Sequence, residues 1–137
     1  MSTTQKFLTG QAIILAAGES SRFWPLNFRH KSLIKIMGKP LILYLIEALK
    51  REGIREIIIV QGKKGDIEKE LKRYQIKGIQ YVVQPKPFGS GDAILRTEKL
   101  AKDQFFVFNS ERIDAKEYIK PILKKFKKLN SNRENKI

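Results

Sequence analysis

The chain has 137 residues, 42% of them hydrophobic, with 28 lysines and arginines against 14 acidic residues, a net charge of +14. That size suits one globular domain with a real core, and the charge favours anionic partners such as nucleotides, sugar phosphates, nucleic acid or a membrane surface. The absence of cysteine excludes disulfides and thiolate chemistry. No apolar run approaches the roughly 18 residues of a membrane-crossing helix, and Met1 to Gly10 lacks the apolar segment of a secretory signal. A cytoplasmic location is therefore expected.

Apolar runs alternate with helical patterns, which predicts an α/β chain with a mostly parallel central sheet. The first strand is predicted over Gln11–Leu15. It runs through Ala16 and Ala17, breaks at Gly18 into Glu19, Ser20 and Ser21, and reaches Arg22. A buried strand thus enters a phosphate-sized loop with a cation on its far side. Small residues let backbone N–H groups approach an anion, and a guanidinium binds two phosphate oxygens at once. With Lys31 shortly after, the segment reads as a triphosphate site.

Ser32–Ile36 is predicted as a short extended piece, and Pro40 as the first residue of a helix that runs to Glu52 and stops at Gly53. Glu56–Gln61 is the second strand, and Asp66 opens a helix to Tyr74. Gly78–Gln84 is the third strand, followed by the loop Pro85–Gly91 and a helix over Asp92–Leu100. Gln104–Asn109 is the fourth strand. Ala115–Leu129 is an amphipathic helix with Ile119, Ile122, Leu123 and Phe126 on one stripe. One domain over residues 1–129 and a disordered polar tail over 130–137 are expected. Gly18, Gln61, Gln84 and Asn109 to Glu111 all fall at the carboxyl ends of strands, where ligands of open parallel sheets sit, so one cleft is expected there.

From Lys116 onward the chain is strongly basic, with Lys120, Lys124, Lys125, Lys127 and Lys128 against few acids. The run reads as a solvated helix face and tail. The scarcity of interleaved aromatics argues against nucleic acid as a partner.

The segment Leu15-Ala-Ala-Gly18, Arg22, Pro25-Leu26, Lys31 and Gly38-Lys-Pro40 resembles the signature of the sugar-phosphate nucleotidyltransferases. The resemblance is to the glucose-1-phosphate thymidylyltransferases and uridylyltransferases, over their N-terminal part. It implies a Rossmann-like, three-layer fold, Mg²⁺ dependence and a place in sugar nucleotide biosynthesis. It also implies transfer of a nucleotidyl group from dTTP or UTP to a sugar 1-phosphate, with release of pyrophosphate. Leu15 to Ser21 would wrap the triphosphate with main-chain amides. Arg22 would grip the leaving phosphates, and Lys31 would stabilise charge around the transferring one. Gln84-Pro85 and Gly89-Ser90-Gly91 resemble the family's second nucleotide element, in which Gln84 and Gly89 would read the base. Phe105 to Glu111 lines up with an apolar strand ending in Asn-Gly-Asp, so Glu111 would take the place of the metal-binding Asp.

Several positions depart from the pattern. Ser20 and Ser21 replace Gly and Thr, a loop version similar to that of cytidylyl and molybdopterin-guanylyl transferases. His30 stands where the family has Pro before the lysine, and Ser110 replaces the Gly before the metal ligand. The matching region ends near Asp114, whereas members of the family continue well beyond it with a sugar-recognition half. The chain is therefore expected to be a truncated form of the fold that acts as a homo-oligomer or with a partner subunit. Two other functions stay open: a non-catalytic nucleotide-binding subunit, and a basic nucleic-acid binder.

Overall fold

The computed structural model describes residues 10–18, 29–112 and 114–134. Four strands form one parallel sheet: β1 (Gln11–Ala16), β4 (Glu56–Gly62), β5 (Ile79–Gln84) and β6 (Phe106–Asn109). Their order across the sheet is β5-β4-β1-β6. The chain thus builds outward from β1 on one side and then crosses to its other side for β6. This reversal opens a crevice at the carboxyl ends of β1 and β6. The register places Leu15 beside both Val60 and Asn109.

A short hairpin, β2 (Lys35–Ile36) with β3 (Lys39–Pro40), leads into α1 (Leu41–Arg51). Pro40 closes β3 and stands just before the helix rather than as its first residue. The stretch expected to be extended over Ser32–Ile36 starts as a 3₁₀ turn at Lys31–Leu33; Ile34 is extended, and Lys35–Ile36 form the strand. His30 causes the difference: its ring nitrogen accepts the Ser32 N–H and caps the turn. The end of α1 forms as expected, with the Gly53 N–H donating to the Lys50 carbonyl and the Ile54 N–H to that of Leu49.

Then come α2 (Asp66–Leu71), prolonged by a 3₁₀ turn to Tyr74, α3 (Gly89–Leu95) and α4 (Ala115–Glu134). Helix α3 starts three residues before the expected Asp92, and turns rather than helix follow it to Leu100. Helix α4 passes the expected end at Leu129 and continues to Glu134, so residues 130–134 are helical.

Strand alternation divides the core between the two faces of the sheet. On one face Ala12, Ile14, Ile57 and Ile59 pack under α1, α2 and α4, whose Leu45, Leu49, Ile67 and Ile119 are fully buried. On the other, Ile13, Ile58 and Val60 meet Ala93 of α3. The result is the expected three-layer α/β arrangement. No helix among the described residues is long and apolar enough to cross a membrane.

Candidate active site

A cleft of about 220 Å³ lies at the carboxyl ends of β1, β5 and β6. It is lined by Leu15, Ala17, Gly18, Lys31, Gln84, Gly89 and Glu111, together with His30, Ser90 and Asn109. Small-molecule sites span roughly 300–1,000 Å³, so this volume suits the polyphosphate or base portion of a nucleotide. Three segments distant in sequence converge here because the sheet order sets β1 between β4 and β6.

Leu15 and Ala17 carry the wall of β1 into Gly18. A side chain at Gly18 would meet nothing within 4 Å, so the backbone faces open space. Ala16, expected beside them, is 1% exposed and packs into the core on the opposite face. Glu19, Ser20, Ser21 and Arg22 lie outside the described residues.

Lys31 is held in place from behind. Asp66 accepts the His30 N–H at 3.0 Å, and Arg29 reaches the Glu70 carboxylate at 2.8 Å. The Glu70 side chain is 3% exposed and also meets Lys35 and Arg73, at 3.6 and 3.7 Å. Hydrogen bonding from Arg29 holds its carboxyl below the ordinary range despite burial. Helix α2 therefore clamps the segment that carries Lys31. Nothing in the pattern of α2 marked Glu70 for this role, because an acid on an amphipathic helix ordinarily faces solvent.

The Lys31 ammonium reaches Glu111 Oε1 at 3.1 Å across the cleft. Partial burial works against the Glu111 carboxylate, but its own backbone N–H, Lys31 and Ser110 outweigh this and lower its pKa. His30 is also shifted down, chiefly by burial, which favours the neutral imidazole. With the Ser32 N–H directed at Nδ1, the proton of the neutral ring is on Nε2.

Gln84 lines the cleft with its amide nitrogen already engaged. It is 5% exposed, and its amide nitrogen donates to the Gly89 carbonyl at 3.0 Å and to Asp92 Oδ2 at 2.9 Å. Its N–H groups therefore brace the loop into α3 and are not offered to a base. Gly89, at φ +90°, gives that loop a turn a side chain rarely adopts. Gln61 is also committed to the scaffold, accepting the Glu68 N–H at 3.0 Å, and does not line the cleft. Asn109 lines the cleft as its strand end predicted, though it was given no role, whereas His30 was outside the expected site residues. The end of an apolar strand and the residue preceding the motif lysine were the signals available for them.

A metal centre built from three or more His, Asp or Glu side chains is absent among the described residues. Glu111 fits the other way Mg²⁺ is held, by one carboxylate with substrate phosphates and water completing its shell.

The family model for nucleotidyl transferases matches residues 11–136. The chain belongs to the nucleotidyl transferase family. Among its relatives, the D-glycero-alpha-D-manno-heptose 1-phosphate guanylyltransferase of Campylobacter jejuni is 34% identical over 111 residues, covering 74% of this chain and 47% of that protein. The bifunctional protein GlmU of Methanococcus maripaludis is 34% identical over 103 residues, covering 74% of this chain and 25% of that one. Among solved structures, a UDP-glucose pyrophosphorylase in complex with UDP-glucose superposes with a TM-score of 0.62 at 29% identity, over 74% of this chain and 46% of its own. The inositol-1-phosphate CTP transferase from T. maritima gives 0.65 at 23% identity, over 75% and 44%, a likeness of fold. The chain thus spans between a quarter and a half of the length of these proteins.

Proposed function

We propose that the chain is the nucleotide-binding part of a sugar-1-phosphate nucleotidyltransferase that takes a pyrimidine triphosphate, dTTP or UTP. The cleft carries this reading: one concave site joins the β1 loop, Lys31, the Gly89 turn and Glu111. In the reaction an oxygen of the sugar phosphate attacks the α-phosphorus, the α–β phosphoanhydride breaks, and pyrophosphate departs. No side-chain nucleophile is required, because the work is to align two anions and neutralise charge at the transition state. Main-chain amides of residues 15–21 and the Arg22 guanidinium hold the triphosphate. Lys31 meets developing charge at the transferring phosphate. A Mg²⁺ ion held by Glu111 and the phosphates supplies further neutralisation when bound. The choice of a pyrimidine is supported by the UDP-glucose complex of the 29%-identical structure. The names of other relatives include a guanylyltransferase and a CTP transferase, so the test must cover every base.

The test measures thermal stabilisation by dTTP, UTP, CTP, ATP and GTP, with and without Mg²⁺. A ligand that binds the native state raises its stability with concentration. We expect a Mg²⁺-dependent shift with dTTP or UTP that Arg22→Ala abolishes, and pyrophosphate release when a sugar 1-phosphate is added. A shift confined to GTP or ATP would overturn the pyrimidine assignment, and one confined to CTP would overturn the choice of dTTP or UTP. Nucleotide binding without turnover would favour a second reading, a non-catalytic nucleotide-binding subunit. That reading draws on Glu111 as the carboxylate at the described cleft, where the resembling pattern has Asp.

A further inference from the structure

The ion pair that spans the cleft joins the two groups the proposed chemistry needs apart. We infer that Lys31 and Glu111 form a latch that couples divalent-cation binding at Glu111 to polyphosphate binding at Lys31. This rests on the triphosphate reading above and adds to it a mode of regulation.

Lys31 comes from the 3₁₀ turn after the β1 loop, and Glu111 from the residues just past β6. The two side chains are 30% and 37% exposed, and their charged atoms lie 3.1 Å apart. Each charge neutralises the other while the cleft is free of anions. A polyphosphate draws the ammonium onto its own oxygens, and the Glu111 carboxylate is then left beside a polyanion. Among the described residues no other cation pairs with this carboxylate: Ser110 Oγ, at 3.4 Å, and its own backbone N–H are neutral donors. Arg29, Lys35 and Arg73 are gathered around Glu70. A divalent cation that approaches Glu111 alone meets the opposite difficulty, because it must take the carboxylate from the ammonium and sit beside it. Each ligand alone leaves one of the two side chains facing a like charge, whereas together each side chain gains an opposite charge in place of the other. The coupling is therefore positive, and linkage makes it reciprocal.

Isothermal titration of the intact chain with inorganic tripolyphosphate tests this independently of the base. In wild type, Mg²⁺ should tighten tripolyphosphate binding about tenfold or more, within the usual range of coupling between sites. In Glu111→Gln, binding in EDTA should be about threefold to tenfold tighter than wild type in EDTA, and most of the Mg²⁺ increment should vanish. Reciprocally, Lys31→Gln should bind Mn²⁺ more tightly than wild type when no phosphate is present, read by the loss of the free Mn²⁺ resonance. Glu111→Gln binding no tighter than wild type in EDTA would overturn the latch, as would unchanged Mn²⁺ affinity in Lys31→Gln. Coupled tripolyphosphate binding with no nucleotide bound would leave the latch standing and sink the nucleotide reading. Failure of wild type to bind either anion would sink both.

Discussion

Gly78 shows how a single residue acts through the backbone. It enters β5 at φ +80°, and a Cβ there would collide with the Arg55 carbonyl oxygen. Its own carbonyl accepts the Ile57 N–H at 2.9 Å, so the strand pair begins at this residue. Gly78→Ala is expected to cost about 1–3 kcal/mol, seen as a lower denaturation midpoint with an unchanged slope. His30 acts through its charge. Its ordinary pKa of 6.5 is lowered in the fold, mainly by burial, with Asp66 opposing. The folded chain therefore binds fewer protons than the unfolded one. The contribution is complete above the unfolded value and is lost as pH falls from 6.5 toward the folded value. In His30→Asn, whose side chain can still cap the turn, unfolding free energies compared between about pH 7 and pH 5.5 should vary less than in wild type. Neither effect was evident in the sequence, where Gly78 is one of nine glycines and His30 a substituted motif position.

At the scale of elements, periodicity was the reliable guide. The apolar positions of α1 recur at helical spacing, and Ile42, Leu45, Ile46 and Leu49 are all at 0% exposure. Leu49 also receives the Ile54 N–H that closes the helix, and both residues belong to the main core. Leu49→Ala should destabilise by about 2–5 kcal/mol in chemical denaturation. Where local side-chain bonds compete with the pattern, boundaries moved. The His30 cap turned part of an expected extended stretch into a 3₁₀ turn, and Gln84 bracing the Gly89 carbonyl accompanies an early start to α3.

For the whole molecule, the sheet presents β5 and β6 as outer strands, with no further neighbour among the described residues. Val107 of β6 is 40% exposed on the face shared with Ile13, where the helical cover is α3. An unpaired strand edge with apolar residues is a template for pairing with another chain. We expect the chain to self-associate through β6. Sedimentation velocity should show a concentration-dependent species that Val107→Lys shifts to monomer, and a monomer at all concentrations in wild type would contradict this. Positive charge, at +14, opposes such contact, so association should strengthen with added salt.

The residues alone determined the alternation of strands and helices, the end of α1, and the concentration of site residues at strand ends. These are local properties, readable from spacing, turn residues and motif order. The tertiary structure decided the order β5-β4-β1-β6, which brings Lys31 against Glu111. It also decided the burial of Glu70 among three cations and the diversion of Gln84 to the loop. Pairing between distant charges depends on the path of the chain through space, and a hydrogen bond from one amide is unavailable to another partner. Neither constraint is written into the pattern of any one segment.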